Sequence, residues 1–89
     1  MQYQYNILEV SKDCEFAFFE CSNGDYGVLE PQNCDIEVGD ILQPAVSKDT
    51  PHCGLQSLIL NGRNQVRVYI DELDFKDGAY KLFKEYSKQ

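Results

Sequence analysis

Residues 55–71, LQSLILNGRNQVRVYID, decide how the rest of the chain is read. Two apolar-rich runs flank Asn61-Gly62-Arg63-Asn64, and an Asn-Gly pair tolerates the positive φ that tight hairpin turns require. In the second run Val66, Val68 and Ile70 alternate with Gln65, Arg67 and Tyr69. A period of two puts the first set on a buried face and the second in solvent. An antiparallel hairpin is expected.

Upstream the same grammar recurs in shorter pieces. GDILQPAV at 39–46 reads as a strand interrupted by Pro44, and a proline cannot donate to a ladder, so an edge or a bulge is expected there. CEFAFFEC at 14–21 and YGVLE at 26–30 read as strands around Ser22-Asn23-Gly24-Asp25, where both Asn23 and Gly24 suit positive φ. At the start of the chain Tyr3, Tyr5 and Ile7 share one face and Leu8 and Val10 the other, which predicts a bulge or bend near Ile7. Five or six short strands with tight turns predict a mainly β fold over residues 1–71, a small barrel or a bent antiparallel sheet.

The connecting stretch DIEVGDIL at 35–42 alternates Ile36, Val38 and Ile41 with Asp35, Glu37 and Asp40, apart from a one-residue shift at Gly39. It reads as a half-buried segment turning into a strand through a Gly-Asp corner. The regularly spaced oxygen ligands of a Ca²⁺ loop are missing, so these carboxylates read as a solvated face.

Downstream the period changes. Phe75, Ala79, Leu82, Phe83 and Tyr86 fall at i, i+4, i+7, i+8 and i+11, one apolar stripe of a C-terminal α-helix over 74–88. Asp74 serves as N-cap, and Lys84 and Lys88 sit near the negative end of the dipole. Asp71, Glu72, Asp74 and Asp77 cluster at the helix start, where they complement the dipole. Gly78 costs the helix about 1 kcal/mol. So short a helix is not stable alone, and its stripe packs on the sheet or on another chain. Residues 1–89 thus form a single domain.

Fifteen acidic against eight basic residues give a net charge of -7, with ten acids and two bases in residues 1–62 and five acids and six bases in residues 63–89. An acidic surface repels phosphate backbones and anionic lipid. The chain begins without a basic segment leading into an apolar run, and no apolar run approaches the ~20 residues that span a bilayer. These features predict no membrane association, a cytoplasmic location and, for that compartment, four reduced cysteines. Cys14, Cys21, Cys34 and Cys53 are separated by six, twelve and eighteen residues. That spacing lacks the close ligand pairs of a zinc site, and Cys14 and Cys21 fall on opposite faces if they share one strand. No metal and no cofactor are expected.

His52-Cys53 is the one nucleophile-base neighbour pair. Adjacent residues of an extended chain point apart, and no glycine-rich nucleophile turn surrounds them, so Cys53 reads as a partly buried thiol beside a loop histidine. Phosphate-cradling and dinucleotide-binding glycine patterns are missing as well. No catalytic residue is assigned and no enzyme is expected.

GDYGVLE followed by VGDIL, then a long loop and a hairpin, resembles the strand-and-corner pattern of OB-fold and related small β-barrels over roughly residues 15–46. The resemblance implies a five- or six-stranded barrel. Such barrels often bind single-stranded nucleic acid or oligosaccharide on a strand face bearing aromatic and basic residues. This chain is acidic in the matching part.

Two functions follow as expectations. The first is a small non-enzymatic interaction module that binds a protein or itself through an apolar or strand-edge surface, with the Pro44 strand as the edge. The alternative is an OB-like single-stranded nucleic-acid-binding protein whose face comprises Arg63, Arg67, Tyr69, Lys81, Lys84 and Lys88.

Overall fold

The computed structural model describes residues 3–45 and 52–87. Six strands, β1 (Tyr5–Val10), β2 (Ala17–Cys21), β3 (Tyr26–Pro31), β4 (Ile41–Pro44), β5 (Gly54–Leu60) and β6 (Asn64–Asp74), precede one helix, α1 (Lys76–Ser87). The strands close into a barrel in the order β1-β2-β3-β6-β5-β4, and every neighbouring pair is antiparallel. The fold is therefore mainly β with a C-terminal helix, as the alternation predicts.

Period-two patterning fills the barrel. Inward positions on all six strands, among them Tyr5, Phe19, Leu29, Leu42, Leu58 and Ile70, form one buried cluster. Each such side chain contributes roughly 1.5–3 kcal/mol by leaving water. In β1 the register with β2 shifts between Ile7 and Glu9. Leu8 is the extra residue and is 41% exposed, while Val10 packs back against the interior. The bulge expected near Ile7 is at Leu8.

Gly27 on β3 marks the closest approach in the wall. A Cβ there would collide with the Glu72 carbonyl oxygen of β6 and with the Phe19 ring. Only a residue without a side chain lets β6 lie so close while Phe19 passes beneath.

The β5–β6 hairpin has the expected faces, with Val68 and Ile70 buried and Gln65, Arg67 and Tyr69 exposed. Asn61 and Gly62 take φ of 51° and 74°, and the Arg63 amide donates to the Leu60 carbonyl at 3.0 Å. The β2–β3 turn differs from expectation. Positive φ falls on Gly24 alone, at 101°, and the Asn23 side chain instead accepts a bond from the Asp25 amide at 3.0 Å. That is an Asx turn, which needs no positive φ at the asparagine.

The cysteines are where the structure departs most from the sequence reading. Cys14 and Cys34 form a disulfide with Cα atoms 5.5 Å apart, which overturns the expectation of four free thiols. Cys14 is not on β2 at all; it sits in the preceding turn at φ 64°, so the opposite-face argument against Cys21 does not apply. The bond ties the β1–β2 turn to the β3–β4 loop. It also removes the thiol state as support for a cytoplasmic location, since structural disulfides are rare there. Cys21 is free and buried; Cys53 is free and exposed rather than partly buried.

In the β3–β4 loop Ile36 is buried, but Val38 is 63% exposed. The alternation fails here because the segment is not a strand: Gly39 turns the chain at φ 95°. Its hydrogen bonds go to β1, where the Gly39 amide donates to the Ile7 carbonyl and the Ile7 amide to the Asp40 carbonyl, both at 2.9 Å.

Pro44 pairs with Leu58 on β5, while the β1 side of the ladder ends at the Tyr5–Leu42 pair. The missing donor therefore lies beyond the end of that ladder. With β4 paired on both sides and the barrel closed, the strand-edge surface expected at Pro44 is not a free edge.

Helix α1 lies across the outside of β2 and β3. Phe18 and Val28 point outward beneath it and join Ala79 and Phe83 in a second buried cluster, flanked by Phe16, Tyr26, Leu82 and Tyr86. The predicted stripe docks except at its first member: Phe75 is 83% exposed, because β6 runs to Asp74 and leaves Phe75 at the corner before the helix. Asp71 and Glu72 likewise belong to β6 and not to the helix start. Asp74 Oδ1 accepts from the Phe75 amide at 2.7 Å, and its carboxylate occupies the space that a Cβ on Gly78 would need. Gly78 thus lets the acid fold over the first helical turn. At the far end Lys84 Nζ and the Tyr80 hydroxyl each reach the Glu9 carboxylate of β1 at 3.3 Å. No helix among the described residues is long and apolar enough to cross a membrane.

Candidate functional site

The outer sides of β5 and β6 face solvent. Their register sets Leu55 opposite Tyr69, Ser57 opposite Arg67 and Ile59 opposite Gln65, so three outward cross-strand pairs line up along the hairpin. Leu55 and Tyr69 are each 48% exposed. Arg67 and Arg63 are exposed too, and among the described residues neither arginine takes part in an ion pair. Residues 50–70 contain no Asp or Glu. In a chain of net charge -7 this stretch contributes no negative side chain, and the acids of β6 begin only beyond it, at Asp71.

Two shallow clefts continue it at the Asn61 turn. One, of about 380 Å³, is lined by Leu60, Asn61, Arg63 and Asn64; the other, of about 350 Å³, by Gln4, Ile41, Gln43, Asn61 and Gly62. Neither contains a carboxylate. Asn61 holds the turn in place: its amide N–H donates to the Ile41 carbonyl at 2.8 Å, its Oδ1 accepts from the Ile41 amide at 2.9 Å and its Nδ2 donates to Asp40 Oδ1 at 3.1 Å. Asp40 Oδ2 accepts from the Glu37 amide at 2.8 Å. Asp40, the acid of the Gly-Asp corner, is thereby committed to backbone and turn.

On β3 the acidic surface begins, with Glu30 opposite Tyr69. The β3–β6 register shifts between the Val28–Glu72 and Leu29–Ile70 pairs, so Asp71 is the extra residue of a bulge. Among the described residues no donor reaches its buried Oδ2, and the Glu30 carboxyl lies beside it. Burial, then the hydrogen bond and charge of Glu30, push the Asp71 carboxyl up to about 7. Below about pH 7 Asp71 therefore keeps its proton, which blunts the negative charge at the border of the hairpin face.

The six residues of the sequence-based nucleic-acid face do not share one surface. Arg63, Arg67 and Tyr69 belong to the β5–β6 side. Lys84 is paired with Glu9 on β1 and lies over the Tyr80 ring, and β2 and β3 separate β1 from β6 in the wall. Lys81 is exposed on α1, and Lys88 lies outside the described residues. The split arises because the helix docks mainly on β2 and β3, which brings Lys84 to Glu9 on β1 and away from Arg67. His52 and Cys53 are both exposed, and among the described residues no group of three or more His, Cys, Asp or Glu side chains is placed to hold a metal ion.

Leu55 and Ile59 escape the sequence reading, and so does the acid-free sector. Its signal is present in the composition, but counting charges on either side of residue 62 cuts the sector in two. Compared with known proteins, the chain matches no family model, no curated protein and no solved structure.

Proposed function

We propose that the protein is a small non-enzymatic interaction module that binds another protein, or a second copy of itself, through the outer face of β5 and β6. The observation that carries this reading is the Leu55–Tyr69 pair, two large side chains in register and half exposed on a hairpin without acids through residue 70, at the border of the acidic β3 surface. Tyrosine and arginine are the residue types enriched among energetic anchors at protein interfaces, and Leu55 adds apolar area beside them. Because both strands are already paired on both sides, contact is made by side chains and not by strand addition.

A pull-down comparing the wild-type chain with Leu55→Glu as baits, at low and high salt, tests it. Proteins retained by the wild type and lost from Leu55→Glu support the module reading. Identical capture by both baits overturns it.

The OB-like nucleic-acid reading keeps one observation in its favour: Arg63, Arg67 and Tyr69 lie on this same side, a stacking ring beside two phosphate-seeking groups. The acidic remainder opposes a polyanion. Mixed-sequence single-stranded oligonucleotides are expected to bind with Kd above about 100 μM, the weak end of non-specific binding. Micromolar affinity in fluorescence anisotropy, lost in Arg67→Glu, would transfer the assignment to this second reading.

A further inference from the structure

We infer that the β5–β6 face takes extended acidic peptide segments, seating a large apolar side chain on Leu55 and Tyr69 and a carboxylate two positions on at Arg67; this rests on the interaction-module reading and names its partner class. Tyr69 and Arg67 are two residues apart on one side of one strand, about 7 Å. An extended peptide repeats its side chains on one face at the same interval, so an apolar residue and an acid at i and i+2 match the two positions. Ser57 stands opposite Arg67 and is small enough to leave the guanidinium accessible from above.

Charge selects the partner. Acids occupy β1, β2, β3, the loops between them and the end of β6, with Glu30 opposite Tyr69 marking the border, while residues 50–70 have none and offer Arg63 and Arg67. A carboxylate-bearing segment is repelled over most of the molecule and attracted here, which fixes where it lands as well as whether it binds. Arg67 has no ion pair to give up among the described residues.

A nucleic-acid strand fits less well. Its phosphates continue past the patch toward Glu30 and the acidic half of the barrel, and Tyr69 is the only aromatic of the three cross-strand pairs, with Leu55 and Ile59 aliphatic.

The experiment is an NMR titration of the full chain with a blocked synthetic peptide holding one leucine and, two residues later, one glutamate in a serine-glycine background. Saturable shifts at the amides of Leu55, Ser57, Arg67 and Tyr69 are expected, along with their loss when the peptide glutamate becomes lysine. The Arg67→Glu protein should bind the glutamate peptide about tenfold more weakly and recover binding to the lysine peptide. Recovery shows that the variant is folded and that charge is being read.

The inference is overturned by no shift up to about 1 mM peptide, where binding free energy is only about 4 kcal/mol. Equal shifts from both peptides, tighter binding of a single-stranded oligonucleotide at the same residues, or shifts of those residues on simple dilution also overturn it. The last outcome assigns the face to a second copy. If Leu55-dependent capture persists while the peptide fails, the acidic partner is wrong and the module reading stands; if both fail, both fall.

Discussion

Two outer faces of one barrel are treated differently by the same chain. On β2 and β3 the outward Phe18 and Val28 are 4% and 0% exposed because α1 lies on them, whereas on β5 and β6 the outward Leu55 and Tyr69 each remain 48% exposed. A barrel buries its inner face by closing, so an outward apolar residue needs a separate cover. The chain supplies one helix, and it fits one face. Charge follows the same division: the helix side is tied to β1 through the Glu9–Lys84 pair, while on the open side Arg63 and Arg67 form no ion pair among the described residues. The first face belongs to folding, and the second is the one we assign to binding.

The strongest way to break this contrast is at Phe83, which is 1% exposed between α1 and Phe18. Phe83→Ala is expected to cost about 3–5 kcal/mol, comparable to the whole stability of so small a domain. Urea denaturation followed by circular dichroism measures it. A variant with the wild-type midpoint would mean that the helix is not held by its stripe, and the two faces would no longer differ.

How far the sequence could reveal this division depends on how local each signal is. The β5–β6 faces and most of the helix stripe are legible because period two and period 3.6 are properties of neighbouring residues. Phe75 misleads because it has the right spacing but sits where β6 outruns its expected end. The Cys14–Cys34 bond needs two loops brought together by the ladder of β1, β2 and β3, and no spacing within one loop announces it. The Asp71 bulge is likewise a register between β3 and β6. Which outer face receives the helix is a tertiary choice, and it also decides that Lys84 and Arg67 lie apart.

A smaller effect is expected at Gly27, in the strand that joins the covered and open faces. Gly27→Ala forces either β6 or the Phe19 ring to move, and overpacking of this kind costs about 1–3 kcal/mol. At Gly24, where nothing lies within 4 Å of an added Cβ, the same change strains only the positive φ, about 1 kcal/mol. Equal melting temperatures for the two variants would mean that β3 and β6 are not in close contact.

The seam between the faces has its own pH signature. Asp71 ionises at about 7 in the folded chain against an ordinary 3.8, so between these values the native state holds a proton that the unfolded chain has lost. Stability therefore falls as pH rises through about 4 to 7 and levels off above. Because the carboxyl is only partly buried, solvent screening reduces the effect to about 1 kcal/mol. Asp71→Asn should flatten this slope in urea midpoints taken from pH 4 to 8. An unchanged slope would place its origin elsewhere.

The smallest stability effect belongs to the open face. Leu55 and Tyr69 are half exposed, so the double change to serine removes little surface that folding buries, and a shift within about 0.5 kcal/mol for each residue is expected from the usual cost of surface substitutions. The same pair is central to the proposed contact, and anchors of this kind cost 2 kcal/mol or more in binding, about thirtyfold in Kd. Measuring both quantities on one variant sets folding against binding directly. A near-native melting temperature with lost Leu55-dependent capture is the pattern of a surface kept apolar for a partner. A large loss of stability would show instead that Leu55 and Tyr69 hold the barrel together, and the two faces would then differ in degree of cover and not in purpose.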